Sequence, residues 1–150
     1  MSTETLSALF RRDLARLRRE IELYRREENL WLTAGAIANP GGNLCLHLLG
    51  NLNTYIGQQL GHTGYVRNRE QEFSQRHVPR AELLRRIDET SAVVATTLAE
   101  LPAAALSQEY PLLVLEHKTS TEFLLTHLAT HLTYHLGQLN YHRRLLDQPA

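Results

Sequence analysis

The chain has 150 residues, 43% apolar and 21% charged, which suits one globular domain able to bury a core without disulfides. Sixteen basic residues balance sixteen acidic ones, so no net field steers it to nucleic acid or an anionic membrane. The single Cys45 excludes a disulfide framework and an all-cysteine zinc site, and no run approaches the ~18 apolar residues of a membrane span.

The opening stretch, MSTETLSALFRRDLARL, carries charge where a signal peptide needs an apolar run, so a cytoplasmic protein is expected. Residues 3–34 read as a first helix. Leu6, Phe10, Leu14, Leu17, Ile21, Tyr24 and Trp31 fall at the three-four spacing of one face. The opposite face mixes Arg and Glu and reads as solvated. ANPGGN then breaks the chain, and Asn43 is expected to cap a second helix that ends near Leu60. Leu44, His47, Leu48, Asn51, Leu52, Tyr55 and Gln59 form its stripe. Gly50 and Gly57 inside it point to close approach by another helix or a bound group.

Residues 61–78 are polar and longer than a hairpin needs. Pro79 is expected to open the third helix, with Leu83, Ile87, Val94, Leu98 and Leu101 along its buried line. A second long connection follows from Pro102, in which LLVL could be extended. TSTE then fits a capping box, Thr119 with Glu122, opening a fourth helix to about Leu146. The expected fold is therefore all-α, one four-helix bundle over residues 1–150.

The last helix holds the most informative pattern. His127, His131 and His135 recur every four residues. A step of four advances 400°, so they share a face with ~40° drift and ~6 Å rise per step. Metal–nitrogen bonds span only ~2.0–2.1 Å, so neighbours can share an ion while the outer two cannot both reach it. His131 must belong to any such site, with either His127 or His135 beside it. A further ligand has to come from another helix. His47, in the apolar run NLCLHLLGN, is the candidate, because its buried ring nitrogens need partners. His62, His77, His117 and His142 read as ordinary hydrogen-bonded core or surface residues.

Register adds a topological expectation. His47 lies one turn into the second helix, whereas His135 lies about eleven residues before the end of the fourth. Antiparallel packing of those helices brings the two to one level. It requires a crossover between helices 2 and 3 through the 61–78 connection.

HLATHLTYHLGQLNYHRR resembles the last-helix motif of the DinB/YfiT-like metalloenzyme superfamily, in which a histidine pair four apart precedes Gly-Gln. NLCLHLLGNLNTYI followed by RNREQEF resembles the second-helix and linker signature of an uncharacterised branch of it. The resemblance spans nearly the whole chain and implies the same bundle with its crossover. It also implies one divalent ion (zinc, nickel or iron) held by His47, His131 and His135, with His127 beside the site. Many members carry arginine after the last ligand, where this chain has Leu136.

Three neutral imidazoles leave an ion's charge uncompensated and a coordination position open for water or a low-molecular-weight thiol. Asn51, Tyr55, Tyr134 and Gln138 are the residues placed to orient ligands or substrate, and Glu70 and Glu72 are candidate bases from the linker. Three functions fit. The first is a metal-dependent thiol transferase or hydrolase acting on a small molecule, as the resemblance implies. The others are a non-catalytic metal- or ligand-binding bundle and a dimerisation scaffold whose histidines hydrogen-bond one another. A homodimer is expected on family grounds.

Overall fold

The computed structural model describes residues 1–149, and they are helical, with no strand among them beyond one isolated bridge between Glu109 and Ser120. The helices are α1 (Thr3–Leu23), α2 (Gly41–Leu52), α3 (Arg69–Ser74), α4 (Arg80–Glu100) and α5 (Thr121–Leu146). The extended LLVL piece does not form. Helix α1 packs on α4 and α5, and α2 packs on α3, α4 and α5. The core between them contains the whole expected α1 stripe, from Leu6 to Trp31.

Helix α1 stops eleven residues short of the expected end. Its last turn gives way at Tyr24, and Glu27–Trp31 forms a separate 3-10 turn. The cause is a long-range carboxylate. Asp147 accepts from the backbone N–H of Arg25 at 2.6 Å and of Arg26 at 3.3 Å, and from Asn29 Nδ2 at 2.8 Å. Those bonds replace the helical ladder that periodicity alone would extend.

Two expected caps are also replaced. Helix α2 begins at Gly41 behind Pro40, and Asn43 does not cap it; its Nδ2 donates to the carbonyls of Glu72 and Gln75 at 2.9 and 2.8 Å. Helix α5 is capped by Ser120, which accepts from Phe123 N at 3.1 Å, while Glu122 pairs with the N-terminal ammonium. A nearby hydroxyl and a free charge outcompete the Thr119–Glu122 box.

Every residue of α2 is buried. Past Leu52 the chain stays helical through a π-helical stretch, Asn53–Gln58, and a last turn, Gln59–Gly61, before His62 leaves it in the left-handed region. Asn53 Nδ2 bonds back to Leu49 O and across to Thr90 Oγ1 of α4, at 2.9 and 2.8 Å. No residue periodicity announces this wide turn; π-helical turns often mark functional segments. The polar connection after it hides α3, which Asn68 caps by accepting from Gln71 N at 3.1 Å. α3 brings Glu72 against α2, and at Gly50 the approach is so close that any side chain would collide with the Glu72 carboxylate.

Candidate metal centre

His47 from α2 and His131 and His135 from α5 meet at one junction. His131 Nε2 lies 3.3 Å from His47 Nε2 and 3.1 Å from His135 Nε2. All three ligand atoms lie within 4.8 Å of one another. His127 is left out of the group, its ring stacked 6.2 Å from that of His131. The helical rise had left open which neighbour joins His131, and tertiary packing selects His135.

The protonation pattern follows from what each ring touches on its far side. His47 Nδ1 lies 3.1 Å from Glu72 Oε1, and Arg67 grips the same carboxylate with Nε and Nη2, both at 2.8 Å. Burial works to raise the Glu72 carboxyl, but the bonds from Arg67 and His47 outweigh it and hold it below the usual carboxylate range. An ionised carboxylate only accepts, so His47 Nδ1 carries a proton, and in the neutral ring Nε2 then carries the lone pair. His135 Nδ1 donates to Gln138 Oε1 at 2.7 Å, which leaves a lone pair on its Nε2 as well.

Two lone pairs therefore face His131 Nε2 from either side. A single N–H there can donate to one of them only, so a neutral hydrogen-bond network does not satisfy the junction. His131 Nδ1, also buried, has no hydrogen-bond partner among the described residues. Burial, then repulsion from His135 and His47, lowers His131 to about 4, and burial lowers His135 too. These two rings of helix α5 disfavour protons and present neutral nitrogens. A cation is the partner such a donor set fits. With bonds of ~2.0–2.1 Å, right-angle to tetrahedral geometries put nitrogens roughly 2.9–3.4 Å apart, the range into which the 3.3 and 3.1 Å spacings fall.

The surrounding residues fall into distinct places. Phe73 lies against the His47 ring at 4.9 Å, and the Tyr134 ring meets His135 edge-on at 5.3 Å while its own face is exposed. Asn51 is buried one turn after His47, and its Oδ1 lacks a partner among the described residues. Tyr55 is half-buried, with the Arg67 guanidinium 5.7 Å above its ring. Gln138 is exposed apart from its bond to His135. Glu70 points to solvent, whereas Glu72 is buried and committed to His47 and Arg67. A cavity of about 570 Å³ lies beside Glu72, lined by residues that include Asn53, Asn68, Gln71, Arg85 and Arg86. A second, of about 360 Å³, is bounded by Gln138, Tyr141, Leu44 and Ile37.

Sequence reasoning missed Arg67 altogether and did not pair Glu72 with His47. The available signal was an Arg and a Glu five apart in a connection too long for a simple hairpin. Of the remaining histidines, His62, His77 and His117 are exposed, and His142 is buried.

The chain matches a family described as "Protein of unknown function (DUF1572)" over residues 10–149. It belongs to the DUF1572 family. No curated protein and no solved structure matches it. The match takes in both histidine-bearing helices and the connection that supplies Glu72, so the junction is part of the DUF1572 unit. Among the described residues no helix is long and apolar enough to cross a membrane.

Proposed function

We propose that this DUF1572 chain is a metal-dependent enzyme of the DinB/YfiT-like kind that activates a thiol or a water against a small-molecule substrate. The observation that carries it is the convergence of three Nε2 atoms, two of them on rings with far-side acceptors, at a junction where one N–H on His131 can serve only one of its two neighbours. A divalent ion there supplies Lewis acidity, which brings the pKa of water towards ~7 on zinc and deprotonates thiols outright.

The chain's own residues have definable parts in this. His47, His131 and His135 hold the ion, and Glu72 and Gln138 orient the outer two rings. Glu72, being ionised and already shared between two donors, serves as an acceptor that holds His47 in place. His127 lies beside His131 and Tyr134 beside His135, and with Asn51 and Tyr55 of the second helix they are the groups proposed to contact substrate.

The arrangement is a four-helix bundle of α1, α2, α4 and α5, crossed over through the connection that contains α3. Contacts support it. Gly41 meets His142 and His47 meets His131 and His135, so numbers fall along α5 as they rise along α2. Asn53 meets Thr90, and Gly57 lies against Val93, so the second helix and α4 run the same way.

The test is elemental analysis of protein purified without a histidine tag, metal-free and after loading with zinc, nickel or iron. One ion per chain is expected, lost together on His47→Ala, His131→Ala and His135→Ala. Loaded protein is then screened for turnover of thiol conjugates, with electrophile plus thiol as the reverse assay. Full metal content in all three variants would refute the site; loading without any turnover would leave a metal-binding bundle.

A further inference from the structure

We infer that Arg67 is a positioning residue of the metal centre, acting through Glu72 to keep the His47 Nε2 lone pair aimed at the common point. The inference rests on the three-histidine cation site proposed above. Arg67 belongs to the connection between the last turn of the second helix and α3, a stretch that is otherwise exposed. Its own side chain is only 14% exposed.

Two independent contacts hold it. The fork of Nε and Nη2 takes both oxygens of Glu72 at 2.8 Å, a planar match that fixes the direction of the carboxylate as well as its charge. The guanidinium also lies over the Tyr55 ring, 5.7 Å from its centre, which ties it to the π-helical stretch. Glu72 in turn reaches His47 because position 50 is glycine. The order of dependence is therefore Tyr55, Arg67, Glu72, His47.

The consequence is chemical rather than merely mechanical. A neutral histidine has two tautomers, and the partner of one nitrogen selects between them. With Glu72 ionised and fixed against Nδ1, the proton stays on Nδ1 and Nε2 is free to bind a cation. Without Arg67, Glu72 is a buried carboxylate lacking its counter-charge and its fork, a state that costs enough to make the group turn away from His47. His47 then loses its fixed acceptor and populates the Nε2–H tautomer, which points a proton at the site.

The experiment is nitrogen-15 NMR of the His47 ring in metal-free protein, together with zinc affinity measured by competition with a chelator. The native chain should show the Nδ1–H tautomer. Arg67→Met should give mixed tautomers and zinc binding weakened by ~10–100-fold, the range for outer partners of metal ligands. Arg67→Lys, which keeps the charge and loses the fork, should fall between. A folded Arg67→Met protein with native tautomer and affinity would overturn the inference, and if that variant does not fold, native values in Arg67→Lys do the same. If the native chain binds no zinc, the site reading fails, yet the tautomer comparison still decides the part played by Arg67.

Discussion

Helix α5 carries two kinds of histidine, His142 buried and His131 and His135 half-buried, and the contrast between them is instructive. His142, near its C-terminal end, has both nitrogens occupied by protein. Its Nε2 donates to Leu32 O at 2.8 Å, so its Nδ1 accepts from the Tyr24 hydroxyl at 2.7 Å. Three and two turns earlier, His131 and His135 turn their Nε2 atoms on each other and on His47, and one ring nitrogen of His131 has no partner. Residue type and helix are the same in both places. What differs is whether the surroundings complete the imidazole's hydrogen bonds or leave lone pairs converging, and only the second arrangement asks for a cation.

The largest effect should come from exchanging the two regions' roles by mutation. His131→Ala removes the ring whose Nε2 lies 3.3 Å from His47 Nε2 and 3.1 Å from His135 Nε2, and zinc affinity should fall by more than the ~10–100-fold typical of outer-partner changes. Titration with a competing chelator measures it. His142→Ala should leave that affinity unchanged and instead destabilise the fold by about 2–4 kcal/mol. It opens a cavity and strands the buried Tyr24 hydroxyl. Loss of metal in the second variant, or none in the first, breaks the comparison.

Gly50→Ala tests the same junction from α2. A methyl there meets the Glu72 carboxylate, so Glu72 must move off His47. Zinc binding should weaken by ~10-fold or more, although alanine is the better helix former by ~1 kcal/mol. Isotherms at fixed pH, beside urea denaturation curves, separate the two effects.

The smallest effect concerns acid. Burial lowers the pKa of His142, so its contribution is complete above the ordinary value near ~6.5 and is lost as pH falls through the lower folded value. His131 and His135 shift in the same direction in metal-free protein. Urea denaturation of metal-free samples at pH 7.5 and pH 5 should show a smaller acid-induced loss in His142→Phe than in the native chain. Equal losses would mean that His142 is already protonated without cost.

Much of the architecture was legible because apolar spacing survives any local accident. The α1 stripe from Leu6 to Tyr24 and the buried line of α4 are determined by three-four periodicity, and they pack as expected. Helix ends were less legible. Asp147 terminates α1 from 122 residues away along the chain, and Asn43 abandons its cap position for carbonyls of α3. Neither partner is visible in a local window.

The candidate site divides along the same line. Four-residue spacing put His131 at the centre of any metal pair, and an apolar run marked His47 as needing a polar partner. Both statements follow from helix geometry and the cost of unsatisfied burial, which a sequence carries in full. Spacing alone left His127 and His135 equal, and it was the family resemblance that put His135 beside His131; the clamp of Arg67 on Glu72 and the satisfaction of His142 by Tyr24 came only from the tertiary structure. Both depend on side chains arriving within about 3 Å of one another, five residues apart for Arg67 and Glu72 and 118 apart for Tyr24 and His142, and hydrogen-bond geometry at that range is set by packing.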